Sequence, residues 1–574
     1  MCIRDSVSKL RTSMNRHQTS RSQTLRFSVI GLLAVLIAAC TNSQPEHATL
    51  IVRDARVWTG DTESPWAEAV AAKGETIVAV GTTLEINKLV GDATDVIDAN
   101  GAMLVPGFID SHVHFLDGGS ALASVQLRDA PSPAEFTKRI ADFAGTAKSG
   151  EWITGGTWDH MNWGGTLPHR DWIDAVTPDN PVWVMRLDGH MGVGNSVALR
   201  LAGVDAETPD IAGGEIVRDA DGRPTGILKD NAMGMVLDVM PAPTDRQLDE
   251  YVDAAMTYVA VNGVTSVHDM FDSWRSLETY QRARAQERQI TRVYAVSPLA
   301  DWERLRDYVA EHDEGDEWLR IGGVKGFMDG SLGSHTAAFL EPYTDKPDDN
   351  GFLLAPLDVL RAQIASADAA GLQPNVHAIG DKAIRDLLDI YYDVEQANGP
   401  KDRRFRMEHA QHIHADDIPR FSIQDVIASM QPYHAIDDGR WAEDVIGPKR
   451  SKTTYAFSSL IDSGARVAFG SDWYVAPATP LEGIYAAVTR RTLDDKNPDG
   501  WVAEQKITVE QALRAYTYEG AYASFEENVK GTIKSGMLAD LVLIDRDLTA
   551  IKPEEIRDAV VLKTIVGGRV VFSR

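Results

Sequence analysis

Two histidines one residue apart, His112 and His114, close an apolar run that begins at Met103. Met103 to Ile109 reads as a buried strand, and in extended chain alternate residues face the same side. Both imidazoles therefore aim at one point at the strand's C-terminal end. Neutral imidazole is the commonest metal ligand, so the pair reads as part of a cation site. Other chemistry-bearing residues end other apolar runs. Lys325 follows Val324, His377 follows Asn375-Val376, His409 follows Met407-Glu408, and Asp472 follows Gly470-Ser471. Each alone has an ordinary explanation: a hydrogen-bonded core histidine, a surface lysine, a helix N-cap aspartate. Four histidines, a lysine and an aspartate, all at strand ends, are better explained by one metal site.

The elements that must position them alternate between strand and helix, which predicts a parallel α/β sheet. Candidate strands are Met103–Ile109, Val264–His268, Thr291–Val296, Ile321–Phe327, Leu372–His377, Phe405–Glu408, Val426–Met430 and Arg466–Phe469. Helical stretches such as Leu357–Ala370 and Ile379–Gln396 separate several of them. Eight such units suggest a distorted TIM (β/α)8 barrel, whose site sits at the C-terminal strand ends. Strand-like runs also crowd both chain ends: Leu50–Trp58, Glu75–Val80, Ala539–Asp545 and Val561–Val571, the last with Gly567-Gly568 as its turn. They predict a small β-sandwich domain built from both ends. The expected division is a signal peptide at 1–40, β domain at 41–105, barrel at 106–524 with an insertion at about 116–245, and β domain again at 525–574. Trp152–Gly156 and Val182–Leu187 are strand candidates inside the insertion.

The formal net charge is −27, and the first 40 residues hold six basic and one acidic residue, leaving −32 on the rest. So acidic a body argues against nucleic-acid binding, which needs basic surface. The only cysteines are Cys2 and Cys40, which excludes a disulfide framework or a cysteine metal site in the body. Arg16, Arg21 and Arg26 precede an apolar stretch, Phe27 to Ala39, too short for a comfortable transmembrane helix. Leu36-Ile-Ala-Ala-Cys40 resembles a bacterial lipobox. That resemblance implies cleavage before Cys40, a lipid on its thiol and a short tether, placing the protein in the cell envelope facing the periplasm. The alternative is an ordinary signal peptide cleaved near Ala39. Residues 1–13 fit no signal n-region, and Met14 is the more credible start.

His112-Val-His114, Lys325, His377, His409 and Asp472 together resemble the amidohydrolase superfamily. Longer phrases are similar to its amidohydrolase-3, YtcJ-like branch: Gly156-Thr-Trp-Asp-His160, Asp188-Gly-His190, Gly214 to Gly222, Pro224-Thr-Gly226, Asp329 to Ser334 and Ser429-Met-Gln-Pro432. His335 departs from the pattern, where arginine is expected. The resemblance implies a two-metal hydrolase. His112, His114 and Asp472 would hold one divalent cation and His377 and His409 the other, with Lys325 carboxylated on its amine to bridge them. Zinc suits such mixed nitrogen and oxygen ligands, as do manganese and iron. Asp472 would be general base, then general acid.

His160, His190, His434 and Trp473 are candidate substrate contacts, and Trp158 and Trp163 candidates for an apolar pocket. His268 is a candidate supporting residue, and His412 and His414 are expected to cap the next helix. The expected function is hydrolysis of a non-peptide carbon–nitrogen bond, in amides such as N-substituted formamides or N-acyl amines. A deaminase or cyclic-amide hydrolase with the same metals is the alternative enzyme, and a catalytically silent, lipid-anchored binding protein the alternative outside catalysis. The expected partner is a small molecule, with no nucleic acid, and membrane contact only through a lipid on Cys40. A homodimer is one open assembly state.

Overall fold

The protein's structure, a computed structural model, describes residues 47–271 and 273–574. The expected signal segment, the Cys40 lipobox and the tether lie outside the described residues. Eight parallel strands form the central sheet: β1 (Phe108–Val113), β2 (Val264–Met270), β3 (Arg292–Pro298), β4 (Leu319–Phe327), β5 (Gln373–Ala378), β6 (Arg406–His409), β7 (Ile427–Met430) and β8 (Val467–Phe469). They pair in sequence order. The two edges meet just beyond β8, where Asp472 donates its backbone N–H to His112 O at 2.7 Å and His114 donates to Trp473 O at 2.6 Å. The result is a mixed α/β, nearly closed (β/α)8 barrel. Strands β1, β2 and β5 to β8 are buried throughout. A strand covered on both faces carries apolar residues without alternation, which is why these runs stand out in the sequence.

The helices follow the apolar period. Asp381–Asn398 buries Ala383, Ile384, Leu387, Leu388, Tyr391 and Val394 on one stripe. It stops at Gly399, whose φ of 76° a non-glycine residue rarely adopts.

Met103–Ile109 is not one strand, as the sequence suggests. Met103–Pro106 belongs to a different sheet, and the barrel strand starts at Phe108. The break falls at Pro106-Gly107. A Cβ on Gly107 would stand 2.2 Å from Thr265 Oγ1, so the chain passes β2 at a distance only glycine permits.

The chain ends build two more sheets. One holds Leu50–Arg53, Ala69–Lys73, Thr76–Gly81 and Asp95–Asp98. The other joins Arg56–Trp58, Trp66–Ala67 and Met103–Pro106 to Leu541–Ile544, Val561–Val566 and Arg569–Ser573. A shared core that includes Val52, Val70, Leu104, Leu541 and Ile565 packs them together. The run Leu50–Trp58 is divided between the two sheets at Asp54, with φ of 53°. Gly567 and Gly568, with φ of 55° and 70°, form the tight turn their sequence implies. Between β1 and β2 a further six-stranded sheet spans residues 125–230 and carries its own apolar clusters. Its strands include Gly155–Trp158, which begins three residues later than the run Trp152–Gly156 suggests, and Trp183–Arg186.

Candidate metal centre

The barrel brings five of the expected residues, His114, Lys325, His377, His409 and Asp472, to one cavity of about 220 Å³ at the C-terminal ends of its strands. His112 lies just beneath, fully buried. Its Nε2 is 3.2 Å from Lys325 Nζ and 3.4 Å from Asp472 Oδ1. His114 Nε2 is also 3.4 Å from Asp472 Oδ1. The ring of His409 lies 4.9 Å from that of His112 and 4.6 Å from that of His377. His409 and Asp472 both have positive φ, 72° and 60°. For side chains this is a costly backbone region, and such residues concentrate at functional sites.

Second partners set which ring nitrogen carries a lone pair. Glu408 Oε2 lies 2.7 Å from His112 Nδ1. Gln431 Oε1 lies 2.8 Å from His409 Nδ1, and Gly330 O lies 3.0 Å from His377 Nε2. Each oxygen accepts a hydrogen bond, so the proton sits on that nitrogen and the opposite ring nitrogen keeps its lone pair for a cation. Burial, reinforced by Lys325, pushes His112 down to about 4. Burial also holds His377 and His409 well below the usual histidine range. Burial thus favours the neutral form that a metal ligand must have. For Asp472 burial acts upward, but the surrounding imidazoles outweigh it and hold the carboxyl well below its usual range.

The residues fit a divalent cation. Donor atoms of His112, His409 and Asp472 all lie within 4.8 Å of one another. Asp472 Oδ1 is buried and, among the described residues, accepts no hydrogen bond. A buried carboxylate oxygen left in that state is costly unless a cation or donor completes it.

Residues 95–572 match the model of the amidohydrolase family. The chain belongs to that family. Protein LONG AFTER FAR-RED 3 of Arabidopsis thaliana is 38% identical over 92% of both chains. The amidohydrolase YtcJ of Bacillus subtilis is 30% identical over 90% of this chain and 98% of its own. N-substituted formamide deformylase of Arthrobacter pascens is 28% identical over 92% of this chain and 98% of its own. Among solved structures, a metal-dependent hydrolase from Pyrococcus horikoshii superposes with a TM-score of 0.72 at 26% identity, covering 88% of this chain and 99% of its own. The amidohydrolase is thus a metal-dependent hydrolase acting on carbon–nitrogen bonds.

The expected substrate contacts divide. His190 and His434 line the cavity. Asp230 Oδ1 lies 2.6 Å from His190 Nδ1, and against the effect of burial it raises that histidine. His160 does not line the cavity. It is buried beside Arg186, whose Nε donates to its Nδ1 at 3.2 Å. Trp473 is also turned away: its ring stacks on Tyr258 at 4.8 Å, and a Cβ on Gly118 would meet it at 2.4 Å. Its neighbours Tyr474 and Val475 face the cavity instead. Trp158 is buried in the core of the 125–230 sheet and Trp163 packs against that core, so neither forms the apolar pocket expected of them. His335 pairs with Asp345 at 2.9 Å, outside the cavity lining. His414 caps a short helix by accepting from Asp416 N, whereas His412 is buried against Thr454 and caps nothing.

Several partners escape a sequence reading. Glu408 is held ionised by Arg406, which reaches it at 2.8 Å and lies 2.9 Å from His268 Nδ1. Burial opposes ionisation there, yet Arg406 and His112 hold Glu408 at about 2. Asp110 accepts from Ser471 N at 2.7 Å and so ties β1 to the Asp472 turn. Asp329 is different, because its place just after Lys325 in the sequence already suggests that it orders this loop; it accepts the backbone N–H groups of Ala338, Ile379 and Gly380. Asp188, bound by Arg186 at 2.6 Å and by Ser331, faces the cavity beside His190. The phrases Asp188-Gly-His190 and Met407-Glu408-His409 were the visible signals. Their partners lie far away in sequence.

Proposed function

We propose that this amidohydrolase cleaves the amide bond of a small N-substituted formamide or N-acyl amine. One observation carries the reading. Asp472 Oδ1, buried and without a hydrogen-bond donor among the described residues, lies 3.4 Å from two imidazole nitrogens at the wall of a cavity sized for a small molecule. The relative named N-substituted formamide deformylase, matched along 98% of its length, supports the substrate class.

His112, His114, His377, His409 and Asp472 would hold two divalent cations, zinc being the ion best matched to these nitrogen and oxygen donors. Lys325, its neutral amine combined with carbon dioxide and one proton released, would present a carbamate whose two oxygens share a single negative charge. When bound, the cations would activate water and polarise the scissile carbonyl. Asp472 accepts the proton of the attacking water and returns it to the leaving nitrogen. His190, whose Nδ1 pairs with Asp230 at 2.6 Å, and His434, held below the usual histidine range by burial, line the cavity and would orient the amide. The apolar walls, among them Leu187, Phe327 and Leu332, exclude water from the bond being cut.

The test is a panel of amides supplied to the metal-loaded enzyme, with both products quantified. The reading requires an acid and an amine in equal amounts. Release of free ammonia from an amino-substituted ring would mark a deaminase instead, and tight metal binding without any turnover a silent binding protein. The lipid anchor on Cys40 and a periplasmic location belong to the same proposal and rest on residues 36–40.

A further inference from the structure

A second, larger space adjoins the reaction cavity. A groove of about 700 Å³ shares Met185, Leu237 and Tyr474 with it. Tyr474 stands between the two, its ring 6.2 Å from that of His114. Beyond this junction the groove is walled by Trp152, Trp183, Met240 and Tyr251. Leu237 at the junction is 43% exposed, a large apolar side chain left uncovered beside the site. The groove lining contains no lysine, arginine or histidine, while Asp117 and Glu151 belong to it.

We propose that the substrate carries an extended apolar chain on its amide nitrogen, without an anionic group at its far end, which passes Leu237 and Tyr474 and lies in this groove. The inference rests on the amide reading above and names its substrate class. Three observations fix the occupant. The cavity at the metal centre is about 220 Å³, enough for an amide with a short substituent, so a long chain must extend beyond it. The three residues shared with the groove are Met185, Leu237 and Tyr474, so burying methylenes against them is favourable. The walls offer two carboxylates and no cation, so an anionic chain end is repelled and unpaired there.

The test uses two independent readouts. Calorimetric titration of metal-loaded enzyme with N-alkylureas, which keep an amide-like head and resist hydrolysis, measures binding without catalysis. A methylene wholly buried is worth about fourfold in affinity, so binding should tighten at least about tenfold from butyl to octyl. An ω-carboxylate on the octyl chain should remove that gain. In Leu237→Glu and Met240→Glu, both at partly exposed positions where the fold tolerates charge, the chain-length dependence should flatten. Parallel kcat/KM values for N-alkylformamides should follow the same order. Affinity that is flat or falling with chain length, or unchanged by the carboxylate and both variants, overturns the groove assignment. If the ureas bind as expected while no formamide is cleaved, the groove stands and the amide reading fails.

Discussion

At the residue scale, the site works by keeping imidazoles neutral and one carboxylate ionised in a buried space. Asp472→Asn should lower kcat by about 10²–10⁴, the value of general acid–base catalysis, while most of the metal stays bound. Near-normal turnover in that variant contradicts the proton-transfer role. Lys325→Ala should lose both metal and activity, and short carboxylic acids should partly restore both. An ammonium 4 Å from a single positive charge costs about 4 kcal/mol at an effective dielectric of 20, so neutralising or reversing its charge is favourable. A fully loaded, active enzyme with a bare Lys325 amine in carbon-13 bicarbonate NMR excludes the carbamate. Glu408→Gln should weaken metal binding about 10–100-fold, because Glu408 fixes the His112 ring from behind; unchanged metal affinity would remove it from the site. The clustering of the six expected residues was legible because each ends an apolar run. Glu408 was not, because its partner His112 lies 296 residues away. Trp473 misled because the chain turns sharply at Asp472, with φ of 60°, so strand alternation no longer tells which way its side chain faces.

At the element scale, the barrel was readable because strands buried on both faces carry unbroken apolar runs. What could not be read was where a run changes sheets. Met103–Ile109 and Leu50–Trp58 are apolar throughout most of their length, yet each is shared between two sheets, and only Gly107 and Asp54 mark the breaks. Close helix packing was equally hidden. Gly119, on the helix Phe115–Leu122 that follows His114, faces the backbone of the helix Asp245–Val261. A Cβ there would stand 2.1 Å from Tyr251 O. Alanine in a helix ordinarily gains about 1 kcal/mol over glycine. Against rigid backbone the overlap should win, so Gly119→Ala should destabilise by about 1–3 kcal/mol in urea unfolding. A raised midpoint would show that the two helices separate freely.

At the scale of the whole molecule, the barrel and the segment that carries the 125–230 sheet together line the cavity at the barrel mouth. The proposed lipid anchor predicts that Cys40→Ala releases or misprocesses the protein; a variant that fractionates with membranes as the wild type does removes the anchor. The central claim, that bound metal drives amide cleavage at this mouth, has one direct measurement. Enzyme stripped by a chelator and enzyme reloaded with zinc or manganese are compared on an N-substituted formamide, with formate, amine and metal content all quantified. Reloading should restore equimolar formate and amine in proportion to the metal regained. Undiminished turnover by the metal-free protein would contradict it.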